Sequence, residues 1–339
     1  MRRMRRMSRI MMIIAAAAIM LTASTAVFAN GQGEASAENY PSGNLDFVAP
    51  GGAGGGWDLT IRTTAKALKD TKLVNVPMPV RNNPGAGGSV HLASLQEMKG
   101  EDRTITVYSS PLLLTKLNGT TDLGHNDVTP LACLIADYAS FVVAANSPYN
   151  SMADIMNALK NDIKSVKIGG NSSAGSMDHL QFLLMAKAAG VQNLNQIDYV
   201  SFDDSAVAQV LGGHIDLFST GLSEIASLVE SGDLKALGQT AGHRVGTGVI
   251  AEIQTCKEQG IDATFINWRG IFGPPEMPEY AVTYWRNTLK ELVQTDEWAQ
   301  AKTTNGWDDA YMDAPEFAEF LDQANADYES ILKEIGMIK

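Results

Sequence analysis

The sequence predicts an α/β protein of two lobes, each built on a mixed, mostly parallel sheet, and three observations carry that prediction. Apolar, β-branched runs alternate with amphipathic ones along most of the chain, the signature of parallel strands joined by helices. Two loops made of glycine and serine, Gly51–Gly56 and Gly170–Ser176, each follow a strand and open a helix about 120 residues apart. Beyond Thr240 a further strand appears, so the chain crosses between the halves twice, and two crossings make a hinge.

The first 29 residues stand apart. Arg2, Arg3, Arg5, Arg6 and Arg9 precede an apolar run from Ile10 to about Leu21, which ends in small residues and Val27-Phe28-Ala29. This is the pattern of a secretory signal peptide cleaved after Ala29, which predicts a periplasmic or otherwise extracytoplasmic protein. The polar residues 30–43 read as a flexible tail. The remainder divides into lobe 1, residues 44–132 and 241–339, and lobe 2, residues 133–240.

Leu45, Phe47 and Val48 form the first strand, and Pro50 ends it. Gly51, Gly52, Ala53, Gly54, Gly55 and Gly56 then lead into a helix marked by Trp57, Ile61, Ala65 and Leu68, which share one face. A bare glycine loop at a helix start presents several unpaired N–H groups in one direction, a seat for an anion. A phosphate-binding loop would need Lys and Ser or Thr after the last glycine, but Trp57 and Asp58 stand there. The dinucleotide pattern fails as well, since the position of its last glycine is Trp57.

Val74–Val80 reads as a short strand followed by a second glycine-rich turn, Arg81–Ser89, and a helix over Val90–Met98. Thr104–Tyr108 is a strand ending at Ser109 and Ser110, with a helix over Leu112–Leu117 behind it. Asn126–Asn146 reads as two strands, Leu131–Ile135 and Ser140–Ala145. A helix, Met152–Leu159, and a strand, Val166–Gly169, then lead to Ser172, Ser173, Ala174, Gly175 and Ser176 and the helix Met177–Ala189. Strands over Ile197–Ser201, Ile215–Ser219 and Leu234–Gln239 alternate with helices over Asp204–Leu211 and Glu224–Glu230. Thr264–Phe272 is a strand, and two helices around a short Trp307–Met312 strand complete the chain. In parallel sheets ligands sit at the carboxyl ends of strands, and here those ends carry glycine, serine and, at Thr220, threonine.

The charge balance narrows the partners. The chain holds 26 basic and 38 acidic residues. Loss of the five leader arginines leaves 21 against the same 38, a net charge of −17, which excludes nucleic acid as a natural partner. Cys133 and Cys256 lie far apart with no Cys-x-x-Cys or Cys/His cluster, so no metal and no cofactor is expected, and buried free thiols are favoured over a disulfide. No nucleophile elbow, zinc-protease motif or paired acid and base appears, so an enzyme is not expected.

Taken together, FVAPGGAGGGWD, RNNPGAGG, IGGNSSAGSMDH, LGGHID and KEQGIDATFINWRGIFGPP resemble, in this order, the extracytoplasmic receptors of tripartite tricarboxylate transporters, the Bug family. The likeness runs from Leu45 to Lys339, and Asn267-Trp268-Arg269-Gly270 is similar to the tricarboxylate branch. Trp57 after extra glycines and Cys256 in place of an apolar residue depart from the pattern. The resemblance implies the type II, Venus-flytrap fold of periplasmic binding proteins, which would capture a di- or tricarboxylate, citrate-like by branch. It further implies delivery to the membrane permease subunits; the receptor is expected to be a monomer. A sensor for a signalling partner and a periplasmic hydrolase are the competing functions.

The candidate ligand-binding residues are therefore Gly51, Gly52, Ala53, Gly54, Trp57, Asp58, Ser109, Ser110, Ser172, Ser173, Ala174, Gly175, Ser176, His179, Asp203 and Thr220. Among them Trp57 reads equally as core or cleft wall. Asp58 reads as an acceptor for helix-start N–H groups that shapes the loop. Arg81 and Arg269 are the cations near these loops, with solvated or bracing roles.

Overall fold

The computed structural model describes residues 39–202 and 206–338. The expected signal peptide, most of the tail and Asp203 lie outside the described residues. Residues 44–338 fold as one compact unit.

Ten strands are present among the described residues: β1 Asp46–Ala49, β2 Val80–Asn82, β3 Thr104–Tyr108, β4 Thr129–Ala144, β5 Ile168–Gly170, β6 Tyr199–Ser201, β7 Leu217–Gly221, β8 Leu234–Gln239, β9 Ile266–Gly273 and β10 Asp308–Asp313. Their order is β2-β1-β3-β9-β4-β7-β5-β6, with β10 and β8 also paired to β4. At each outer end the strands are parallel, β2-β1-β3 in one half and β6-β5-β7 in the other. The connecting strands β9 and β4 run antiparallel to their neighbours. The architecture is thus α/β and two-lobed, with a mixed sheet in each lobe.

β4 holds the two halves together. It is one strand of 16 residues, where sequence suggested two separated near Asp137. A buried aspartate inside a strand is tolerated here because Arg269 of β9 pairs with it. Up to Tyr138, β4 pairs with β9; from Ala139 onward it pairs with β7, and from Ser140 with β8. Side chains of the first half pack around Trp268, Phe272 and Phe317, and those of the second around Phe141, Phe182 and Leu217. No helix of the described residues is long and apolar enough to cross a membrane.

Other elements differ from expectation for identifiable reasons. Val74–Pro79 is not a strand: Pro77 and Pro79 lack the N–H a ladder needs, and pairing starts only at Val80. Three helices, not two, follow Pro274: Glu279–Leu292, Asp296–Asn305 and Ala314–Glu334. Thr295 separates the first two, its Oγ1 donating to Leu292 O at 2.7 Å and accepting from Trp298 N at 3.2 Å. Cys133 and Cys256 are free and buried, and burial pushes each thiol up to about 12.

Candidate functional site

The carboxyl ends of β1, β3 and β7 meet the two small-residue loops around a cavity of about 100 Å³. Gly51, Gly52, Gly55, Gly56 and Trp57 line it from the first loop, with Gly87, Ser109 and Pro111 beside them. Asn171, Ser172, Met177, Asp178, Thr220 and Glu224 line it from the second half, and Arg269 of β9 completes the wall. The two loops that the sequence singled out therefore face one space.

The first loop is an open seat. Its helix, Gly56–Asp70, starts with Gly55 as N-cap and no capping side chain. Among the described residues no protein acceptor takes the N–H of Gly56, Trp57 or Asp58. These are the groups that carry the positive end of a helix dipole. Asp58 lies in the first turn but does not enter the cavity wall; its Oδ2 accepts from Gly54 N at 2.9 Å, and its Oδ1 from Arg62 Nε at 2.7 Å and Asn82 Nδ2 at 3.0 Å. It is a brace for the loop. Asn82 adds a bond to Gly51 O at 2.9 Å. Trp57 is cleft wall: its indole donates to Ser109 Oγ at 2.9 Å and meets the Tyr108 ring edge-on.

Arg269 lies flush against this seat. A Cβ on Gly56 would fall 2.2 Å from Arg269 Nη2, so only glycine lets the guanidinium approach. Arg269 is 2% exposed, donates from Nη2 to Asp137 Oδ2 at 2.9 Å, and stands 3.9 Å from Glu224 Oε1. Its Nε is buried with no acceptor among the described residues. Guanidinium and helix start thus place two positive features side by side, an arrangement that favours an anion between them.

The second loop differs because its own helix fills it. Asp178 Oδ2 accepts from Asn171 N and Ser172 N, both at 2.9 Å, and Ser172 Oγ accepts from Asp178 N at 2.8 Å. His179 Nδ1 accepts from Gly175 N at 3.1 Å while its ring stacks on Tyr199. Burial lowers the His179 pKa to about 4, so the imidazole stays neutral and serves as this acceptor. Ser173, Ala174, Gly175 and Ser176 do not line the cavity. Ala174 O instead accepts from Asn118 Nδ2 of the first half at 3.1 Å.

Of the expected site residues, the structure gathers Gly51, Gly52, Trp57, Ser109, Ser172 and Thr220 at the cavity. Ala53 and Gly54 are exposed at the loop tip. Ser110 turns away to a 2.8 Å hydrogen bond with Tyr328. Asp178, Glu224 and the sidewall role of Arg269 escaped sequence reading. Arg269 was visible as a cation near the loops, and Asp178 as a first-turn acid. Glu224 has no local signal, since it reaches the cavity only through the fold. Among the described residues no cluster of His, Cys, Asp and Glu could hold a metal ion.

A two-lobed α/β body with its cavity between the halves, lined by backbone amides, hydroxyls, one guanidinium and the carboxylates of Asp178 and Glu224, defines the class of solute-binding proteins. The profile of the tripartite tricarboxylate transporter family receptor matches residues 61–337, and the chain belongs to that family. It is 25% identical over 309 residues to a UPF0065 protein of Cupriavidus necator, covering 90% of this chain and 91% of that protein. MatC of Rhodopseudomonas palustris, solved with bound malate, superposes with a TM-score of 0.72 at 18% identity, covering 86% of this chain and all of that one. The R. palustris protein Rpa4515, solved with adipate, gives 0.76 at 19% identity over 88% of this chain and 99% of its own.

Proposed function

We propose that this protein is an extracytoplasmic receptor that captures a small di- or tricarboxylate and delivers it, as a monomer, to the permease subunits of a tripartite tricarboxylate transporter. In this reading the lobes divide within β4, where pairing passes from β9 to β7 and β8. The observation that carries the proposal is the first-loop seat, its helix-start amides lying against Arg269 at one wall of a cavity whose other wall is the second half. A carboxylate bound there would take charge-assisted hydrogen bonds of about 1.5–3 kcal/mol each. Several of them, less desolvation, support the ~8 kcal/mol of micromolar binding.

The space between the halves takes a small multi-carboxylate. A binding role is favoured over an enzymatic one because Ser109, the hydroxyl beside the seat, accepts from the Trp57 indole and has no histidine or carboxylate partner among the described residues.

Calorimetry of the mature protein against succinate, malate, adipate and citrate tests the reading. Micromolar binding of at least one, with the ligand recovered intact, is the expected result. No binding tighter than millimolar by any of them would overturn it.

A further inference from the structure

The cavity holds more acid than base. Around the single guanidinium of Arg269 stand Asp137, Asp178 and Glu224. The helix starts at Gly56 and Met177 each add roughly half a positive charge. Asp178, in the first turn of its helix, already offsets the second of these. With Asp58 in the first turn of the Gly56 helix paired to Arg62, Arg269 and that helix start are left to balance Asp137 and Glu224 before any ligand arrives. A dicarboxylate would then bring one or two further negative charges into about 100 Å³, and carboxylates so crowded do not all stay ionised.

The hydrogen bonds indicate which one yields. Asp137 is committed as an acceptor, from Arg269 Nη2 at 2.9 Å and Ser223 Oγ at 2.9 Å on Oδ2 and from Tyr138 N at 2.8 Å on Oδ1. Asp178 takes two backbone N–H groups on one oxygen. Glu224 has one donor, Thr220 Oγ1 at 3.1 Å, while Arg269 at 3.9 Å is beyond hydrogen-bond distance. Its side chain keeps 15% exposure at the cavity wall. The groups facing it are Arg269 from β9, Asp137 from β4, Asp178 from the Met177–Ala188 helix and Thr220 from β7.

We propose that Glu224 meets the bound ligand as a neutral carboxylic acid, donating its proton to a ligand oxygen, so that capture of a dicarboxylate takes up one proton. This rests on the receptor reading above and adds the ligand-facing role of one residue. No bond other than to hydrogen changes, and the proton comes from solvent.

Burial first, with Asp178 and Asp137 adding to it and Arg269 and the Thr220 hydrogen bond opposing it, pushes the Glu224 carboxyl up to about 7. A ligand anion raises it again. Below about 7 the proton is in place and affinity is full. Above it, each binding event must draw a proton from solution, so Kd rises about tenfold per pH unit.

Succinate, malate and adipate are the probes, titrated from about pH 6 to about pH 8.5 in two buffers of different ionisation enthalpy. The expected result is a loss of more than tenfold in affinity across the range, with close to one proton taken up per ligand at the upper end. Glu224→Gln, which keeps an N–H donor without charge, should bind equally at both ends and take up none. A flat wild-type profile without proton uptake overturns the proposal, and so does a Gln variant that retains the slope. Preferential, pH-independent binding of an amino acid would overturn it by assigning Glu224 to an ammonium group. Should neither these three acids nor citrate bind even at the lower pH, the receptor reading itself fails and takes this inference with it.

Discussion

The loops Gly51–Gly56 and Gly170–Ser176 look alike in sequence and do different things in the fold. In the first, the acid of the following helix, Asp58, reaches back to Gly54 and leaves the helix-start amides open to the cavity. In the second, Asp178 and His179 reach into the loop and take the amides of Asn171, Ser172 and Gly175 for themselves. An acidic residue two or three positions into a helix can thus either frame an anion seat or occupy it. The seat proposed for the ligand is one-sided, with the second half contributing side chains where the first contributes main chain.

The comparison can be broken most directly at Gly56. Gly56→Val puts branched carbon into the Arg269 guanidinium, so affinity for whichever dicarboxylate binds should fall by at least about a hundredfold, the loss of two charge-assisted bonds. Calorimetry checks this, with circular dichroism to confirm folding. Normal binding by that variant would remove the first loop from consideration.

Asp178→Asn sharpens the contrast. Its amide oxygen can still accept from Asn171 and Ser172 while one negative charge leaves the cavity, so dicarboxylate affinity near pH 8 should rise by about three- to fivefold. A large loss instead would make Asp178 a ligand contact and erase the distinction between the loops.

The smallest effect belongs to Ser110→Ala. That hydroxyl bonds Tyr328, away from the cavity, so the change should cost about 1 kcal/mol in denaturant unfolding and leave affinity unaltered. Its neighbour Ser109, which accepts from Trp57, marks the difference that one residue makes at a strand end.

Much of this was legible in the chain because local chemistry dictates it. Glycines after β1, the serine at the end of β3 and the threonine near the end of β7 were readable as strand ends, and those ends do converge. What escaped depends on partners distant in sequence. β4 read as two strands, Leu131–Ile135 and Ser140–Ala145; Arg269, which allows the Asp137 carboxylate to be buried between them, comes 132 positions later. Glu224 read as the first residue of a helix over Glu224–Glu230, yet a short 3-10 turn over Leu222–Glu224 holds it at the cavity wall. Whether a loop's amides are open or taken is likewise a matter of side-chain direction, which spacing alone leaves undetermined.

The continuity of β4 has a mechanical corollary. Any rotation of one half of the sheet against the other passes through this strand and through the entry to β9 at Phe265 and Ile266, and it meets the Ala314–Glu334 helix, whose Phe317 and Leu321 pack in the first half and Leu332 in the second. Asp137 sits where β4 exchanges neighbours, and its carboxylate grips the guanidinium that borders the ligand space. Torsion in the crossing strand and the electric field felt by a captured acid are therefore read through the same atoms.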